Sequence, residues 1–165
     1  MRQAKFAGNP LTLEGKEVKV GESFRDFTVT NNDLSELKYS DTKGVRIFLA
    51  VPSIDTEVCD MEVRKFNKEA SELENVTVYT VSMDLPFAQG RWCGAAGIGN
   101  VKVVSDYKSR SFGEATGTFI KELALLTRAS FVVDSEGKVV FVEYLEEMTN
   151  EPTYKNILEA AKVAK

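Results

Sequence analysis

The residues best suited to do chemistry are two cysteines in a chain that has no histidine. Cys59 closes the segment Val51-Pro52-Ser53-Ile54-Asp55-Thr56-Glu57-Val58-Cys59. An apolar run, Val45 to Val51, leads into it, and a helical pattern leaves it. Cys59, Val63, Phe66, Ala70 and Leu73 recur at alternating steps of four and three, one face of an amphipathic helix. The stretch reads as strand, turn and helix, with a thiol at the helix start. Thr56 is a good N-cap residue and Glu57 suits the first turn. With Thr56 as cap, unpaired backbone N–H groups and the positive end of the dipole face the Cys59 sulfur. That environment favours thiolate over thiol.

Ionisation alone does little. A thiol with a pKa of about 8.5 is ~3% ionised at pH 7, so full ionisation raises the nucleophile concentration at most roughly 30-fold. Enzymes ordinarily supply about a million-fold or more. A catalytic Cys59 therefore needs further transition-state stabilisation, and the Thr56 hydroxyl on the same turn is the first candidate. The alternative is that Cys59 is a small buried hydrophobe, as free cysteines often are. Cys93 follows in Gln89-Gly90-Arg91-Trp92-Cys93-Gly94. No Cys-x-x-Cys is present, which excludes a thioredoxin-type dithiol. A structural bridge to Cys59 would contribute roughly 3–4 kcal/mol through loop closure, yet reducing compartments rarely keep such bridges. On residue types alone the pair is either inert or redox-active.

Composition narrows the field. Without histidine there is no Ser-His or Cys-His pair and no His-ligated metal. Two cysteines cannot close a structural zinc site by themselves. Net charge is −4 with no block of Lys or Arg, which argues against nucleic acid and anionic membranes as partners. No apolar run approaches a membrane span. Met1 to Pro10 has no apolar signal core, so a cytoplasmic location is expected. On that ground the Asn75-Val76-Thr77 sequon is chance. The Gly94-x-x-Gly97-x-Gly99 run does not match the dinucleotide fingerprint. No cofactor or metal is expected.

The elements around the cysteines follow from period and punctuation. Residues 5 to 20 alternate loosely, with turns at Gly8-Asn9-Pro10 and Glu14-Gly15-Lys16, and predict an N-terminal β-hairpin. Leu34 to Leu37 is a short strand after the Asn31-Asn32-Asp33 turn, and Val45 to Ala50 is the first strong strand. Val76 to Ser82 is a strand, Phe87 to Ala96 a short helix carrying Cys93, and Val101 to Val104 a strand. Asp106 to Gly117 holds a short helix. Ala129 to Val133 and Lys138 to Tyr144 form a hairpin about Asp134-Ser135-Glu136-Gly137. Pro152 at a first helical position opens a last helix with Tyr154, Ile157, Leu158, Ala161 and Ala164 inward. This order predicts one α/β domain over residues 1–165. It is a thioredoxin-like fold: a central mixed β-sheet flanked by helices, with an N-terminal β-hairpin extension.

The string from Pro52 to Cys59, followed by Val63-Arg64-Lys65-Phe66-Asn67, resembles the thiol peroxidase branch of the peroxiredoxins, the atypical two-cysteine type. So do Ser82-Met83-Asp84-Leu85-Pro86-Phe87-Ala88-Gln89 running into Cys93, Leu126-Thr127-Arg128-Ala129, Glu151-Pro152-Thr153-Tyr154 and Gly8-Asn9-Pro10. The resemblance spans essentially the whole chain. It implies that Cys59 is the peroxidatic cysteine and Cys93 the resolving one. It further implies that Pro52 and Thr56 belong to the Pro-x-x-x-Thr-x-x-Cys motif, and that Arg128 is the active-site arginine. Trp92 stands where Phe is expected, a change that alters packing around Cys93 and not the chemistry. The implied activity is reduction of hydrogen peroxide and organic hydroperoxides through a sulfenic acid and an intramolecular disulfide. Thioredoxin is the implied reductant, and a homodimer the implied assembly. Apolar residues such as Phe48, Phe87 and Ile54 point toward organic hydroperoxides. The competing readings are a peroxide sensor or redox relay built on the same site, and a thioredoxin-fold binding module with inert thiols.

Overall fold

The computed structural model describes residues 2–70 and 72–164, without the Ala70 side chain. In chain order the strands are β1 (Gln3–Phe6), β2 (Asn9–Glu14), β3 (Thr28–Thr30), β4 (Glu36–Lys38), β5 (Val45–Ala50), β6 (Val76–Ser82), β7 (Val101–Ser105), β8 (Phe119–Ile120), β9 (Leu125–Leu126), β10 (Ala129–Val133) and β11 (Val139–Tyr144). The helices are α1 (Glu57–Ala70), α2 (Pro86–Ala96), α3 (Ser111–Thr116) and α4 (Tyr154–Val163), with a 3-10 turn at Tyr39–Asp41.

β5 is buried at every residue. It runs parallel to β6, and β6 parallel to β7. On its other side β5 pairs antiparallel with β10, and β10 with β11. With β3 and β4 at the far edge, the order is β11-β10-β5-β6-β7-β3-β4. Because side chains alternate along a strand, Val45, Ile47 and Leu49 face one layer while Phe48 and Ala50 face the other. The first layer takes Val63 and Phe66 of α1 and Ile157 and Ala161 of α4; the second takes Phe112 of α3. The sheet is therefore mixed and has helices on both faces.

Several expectations shift. The N-terminal hairpin spans Gln3–Glu14 and turns at Ala7-Gly8, both left-handed, so Asn9 and Pro10 lie in β2 and residues 15–20 outside it. It continues into a second sheet, β1-β2-β8-β9, whose two-residue strands are too short to show a period. The Leu34–Leu37 strand is β4 instead, because Leu34 adopts φ +74° in the preceding turn. α1 ends at Ala70, before Leu73; the Ala70 side chain lies outside the described residues. α3 occupies only the second half of 106–117 and ends at left-handed Gly117. Pro152 is not the first helical residue: Thr153 is the N-cap and the helix begins at Tyr154. No helix among the described residues is long and apolar enough to cross a membrane.

Phe48 sits at the centre of an aromatic cluster. It stacks on Phe24 at 5.0 Å and on Tyr79 at 5.2 Å, and meets Phe27 edge-on at 5.5 Å. Phe48→Ala is expected to cost about 3–5 kcal/mol of stability by urea unfolding. A loss below about 1 kcal/mol would mean that this layer does not hold the sheet.

Candidate active site

Cys59 is the third residue of α1 and is fully buried. The Thr56 hydroxyl oxygen accepts its backbone N–H at 3.2 Å, which is the N-cap expected from the sequence. The same hydroxyl donates to the Ser53 carbonyl at 3.2 Å. Its one proton is thus committed to the backbone, not to sulfur. The loop before the helix hangs on Asp84, which follows β6. Its carboxylate accepts the Ile54 N–H at 2.9 Å, the Ser53 hydroxyl at 2.7 Å and the Ser82 hydroxyl at 2.6 Å. These bonds set where the helix starts, and so where the sulfur lies.

Arg128 reaches the sulfur from across the sheet. The antiparallel register Ala129↔Ala50 brings the residue before β10 alongside Val51, at the mouth of the Pro52 turn. The side chain is only 2% exposed. Nη2 donates to Cys59 Sγ at 3.1 Å, Nη1 to Glu62 Oε1 at 3.0 Å, and Nε to the Met148 carbonyl at 2.9 Å. A buried cation with three aimed bonds has little freedom to turn, and it holds positive charge against the sulfur. Burial works to lower the Arg128 pKa, but Glu62 and Cys59 together outweigh it, and the net direction is up.

Glu62 was not singled out by sequence. It lies one turn beyond Cys59, and Glu62 Oε2 has no hydrogen-bond partner among the described residues. Burial pushes its carboxyl up to about 7 against the pull of Arg128. The available signal was its spacing: three residues after Cys59 and four before Phe66, it is a carboxylate on the apolar stripe. Asp84 and the Met148 carbonyl carried no such signal, because a polar residue in a turn and a main-chain oxygen have none.

A small cavity of about 120 Å³ is lined by Phe6, Pro52, Thr56, Glu57, Val58, Arg128, Met148 and Thr149; Cys59, fully buried, is not one of its walls, and Arg128 is the residue that touches both the cavity and the sulfur. At ~30 Å³ per water molecule it has room for roughly four, enough for a peroxide group. Pro52, Thr56 and Arg128 thus meet at one opening. The apolar residues expected to favour organic substrates are not its walls. Phe48 is in the core, and Ile54 and Phe87 line a separate groove of about 640 Å³ beside α2 that does not include Arg128. Here the larger space is not the one that Arg128 lines.

Cys93 lies on α2, half-buried, and both cysteines are free thiols. Burial raises the Cys93 pKa. Its neighbour Trp92 donates from the indole nitrogen to Asp60 at 3.1 Å, and Arg64, paired with the same carboxylate, lies over the Trp92 ring. The substitution of Trp for Phe therefore adds a polar tether from α2 to α1, beyond packing. Among the described residues of α2 only Pro86 and Gln89 are fully buried.

The Redoxin family model matches residues 19–158. The chain is 56% identical over 163 residues to a thiol peroxidase of Clostridium acetobutylicum, covering 99% of each chain. It is 55% identical to one of Bacillus subtilis, covering 98% of each. The chain belongs to the thiol peroxidases of the Redoxin family. A crystal structure of a peroxiredoxin-like protein from Aquifex aeolicus superposes with a TM-score of 0.90 at 39% identity, over 98% of this chain and 96% of that one. A thiol peroxidase from Chromobacterium violaceum, at 14% identity and a TM-score of 0.87 over 95% and 94% of the two chains, shares the fold. The thioredoxin-like architecture read from the sequence is the one these relatives have.

Glu62 also makes a pH prediction. A carboxyl raised from its ordinary value to about 7 in the folded state binds its proton more tightly there than when unfolded. The stability from this group is fully present below about pH 4.5 and is lost as pH rises through about 7. Glu62→Gln should flatten the difference in urea midpoint between pH 5 and pH 8 relative to the parent. An unchanged difference would show that Glu62 does not titrate in that window.

Proposed function

We propose that the chain is a thiol-dependent peroxidase with Cys59 as its nucleophile. The observation that carries this reading is the Arg128 guanidinium, 3.1 Å from the Cys59 sulfur at the edge of a peroxide-sized cavity. The Cys59 thiolate attacks one oxygen of a hydroperoxide in line. An S–O bond forms as the O–O bond breaks, and the leaving oxygen takes a proton to become water or an alcohol. Charge grows on that oxygen in the transition state, so donors aimed at it give differential stabilisation. Arg128, a fixed planar fork, suits this. Thr56 joins it when its O–H swings from Ser53 to the bound peroxide. Pro52, which has no N–H, shields the sulfur from water. These oriented donors supply what ionisation of the thiol cannot.

Cys59 is then a sulfenic acid. It condenses with the Cys93 thiol, giving a disulfide and one water. A dithiol reduces that disulfide to the two starting thiols and becomes a disulfide itself. Kinship with thiol peroxidases supports thioredoxin as that dithiol, a homodimer as the assembly, the cytoplasm as the location and residues 1–165 as one peroxidase domain. Disulfide formation requires the cysteine Cα atoms within about 7 Å. Cys59 is held in α1 and Cys93 is tethered through Trp92, and we infer that both segments unwind for the bond to form. The sparse burial of α2 favours this.

Two measurements test the reading. In a coupled assay with thioredoxin, thioredoxin reductase and NADPH, the parent chain should turn over hydrogen peroxide and cumene hydroperoxide. Cys93→Ser should reduce a single equivalent of peroxide and stop. Loss of that first equivalent would contradict a purely resolving role, and no turnover by the parent would sink the function. The second concerns Gly94, whose missing side chain would point into open space. Gly94→Ala should stiffen α2 by about 1 kcal/mol. It should slow formation of the Cys59–Cys93 disulfide about fivefold, read by fluorescence of Trp92, the chain's single tryptophan. An unaltered rate would mean that unwinding of α2 does not limit the step.

A further inference from the structure

The aim of Arg128 depends on a piece of chain far from it in sequence. Its Nε is held by the Met148 carbonyl at 2.9 Å, and Met148 lies in the irregular segment after β11. That segment is held by the N-terminal hairpin. Lys5 donates its N–H to the Glu146 carbonyl at 2.7 Å, and the Met148 N–H donates to the Lys5 carbonyl at 2.9 Å, a short parallel bridge beside β1. The Met148 side chain is 1% exposed and packs with Ala4, Leu13 and Ile120.

Glu147 fastens the two together. Its carboxylate accepts the N–H groups of Ala7 at 3.0 Å and Gly8 at 2.7 Å, which form the hairpin turn. It also accepts the Thr149 N–H at 3.2 Å and the Thr149 hydroxyl at 3.0 Å. Ala7 and Gly8 are both left-handed, at φ +48° and +85°. Successive N–H groups in such a turn point to one side and make a concave site for an anion. Ala7 has a Cβ, so its left-handed backbone carries strain that the carboxylate offsets. Just before the turn, Phe6 stands at the cavity mouth, 42% exposed and facing the wall made by Pro52, Val58 and Arg128.

We propose that Glu147 is a positioning residue of the peroxide site. By capturing the Ala7-Gly8 turn it fixes the Met148 carbonyl, which aims the Arg128 guanidinium at the sulfur, and it sets Phe6 as the outer wall. Glu147 touches neither the sulfur nor the cavity; it acts through Arg128 and through the hairpin. The inference rests on the proposed role of Cys59 as the peroxide-reducing thiol.

The test is a double-mutant cycle on the second-order rate of Cys59 oxidation, followed by stopped-flow Trp92 fluorescence. Glu147→Ala should slow reaction with hydrogen peroxide roughly tenfold, less than the ~100-fold that a 1 Å misplacement can cost. In an Arg128→Ala background the same substitution should do almost nothing, because residues that act through one another are not additive. Glu147→Gln keeps one acceptor for the turn and should restore at least half of the lost rate. Phe6→Ala should shift the ratio of cumene hydroperoxide to hydrogen peroxide rates, as removal of a side wall does; an unchanged ratio would overturn the part of the proposal that makes Phe6 a wall. Full additivity of Glu147→Ala with Arg128→Ala, or no effect of Glu147→Ala alone, would overturn the positioning role. Should Glu147→Ala fail to fold, Glu147→Gln in the two backgrounds carries the same cycle at smaller amplitude. A parent chain that does not react with peroxide would instead refute the role of Cys59. A reactive parent whose cycle is additive refutes this inference alone.

Discussion

A guanidinium withdrawn from water must find an acceptor for its N–H groups, and that requirement organises the region around Arg128. Its three bonds run to three different parts of the chain: the first turn of α1, the second turn of α1, and the main chain after β11. Burying a cation in this way is unfavourable unless each direction is filled. The surrounding structure therefore has one arrangement that satisfies the arginine, and that arrangement has a sulfur at one tip of the fork. Glu62 completes the set at a cost to itself, since one of its oxygens is left without a partner. Burial pushes the pKa of a carboxyl so placed up, against the pull of Arg128. The charge that Arg128 offers to the sulfur is thus shared with Glu62.

The two ends of the proposed disulfide are held by different means. Cys59 lies in a helix start fixed by Thr56, by the Asp84 carboxylate and by Arg128. Cys93 lies on a helix with little buried surface, joined to α1 through one indole hydrogen bond and a stacked arginine. At the far end of α2, the Asn67 side chain accepts the N–H groups of Gly99 and Asn100. The bonds from Gly99 and Asn100 are exposed, whereas the indole bond is partly buried. In the proposed mechanism the firmly held thiol meets the oxidant and the loosely held one moves.

Much of this was legible from residue order, and for a physical reason. Strand and helix periods are local properties, so β5, α1, β6, β10 and the last helix emerge from spacing, and Thr56 as cap follows from residue type and position. The absence of histidine leaves cysteine, lysine, arginine, hydroxyls and carboxylates as the reactive groups. Glu62 is readable in principle, as a carboxylate on an apolar stripe. The two-residue strands β8 and β9 were not readable, because two residues define no period.

What the sequence by itself determined is the thiol at a helix start, its helix and the sheet beneath them, since each depends on neighbours within a few turns of chain. Only the tertiary structure decided that Arg128, Glu62 and the Met148 carbonyl meet at Cys59. It alone decided that an N-terminal hairpin, clasped by Glu147, stands at the mouth of the cavity. Those meetings depend on the pairing of β10 with β5 and of β1 with the segment after β11. Pairing between distant segments is set by how faces pack once formed, and no single stretch of residues encodes it.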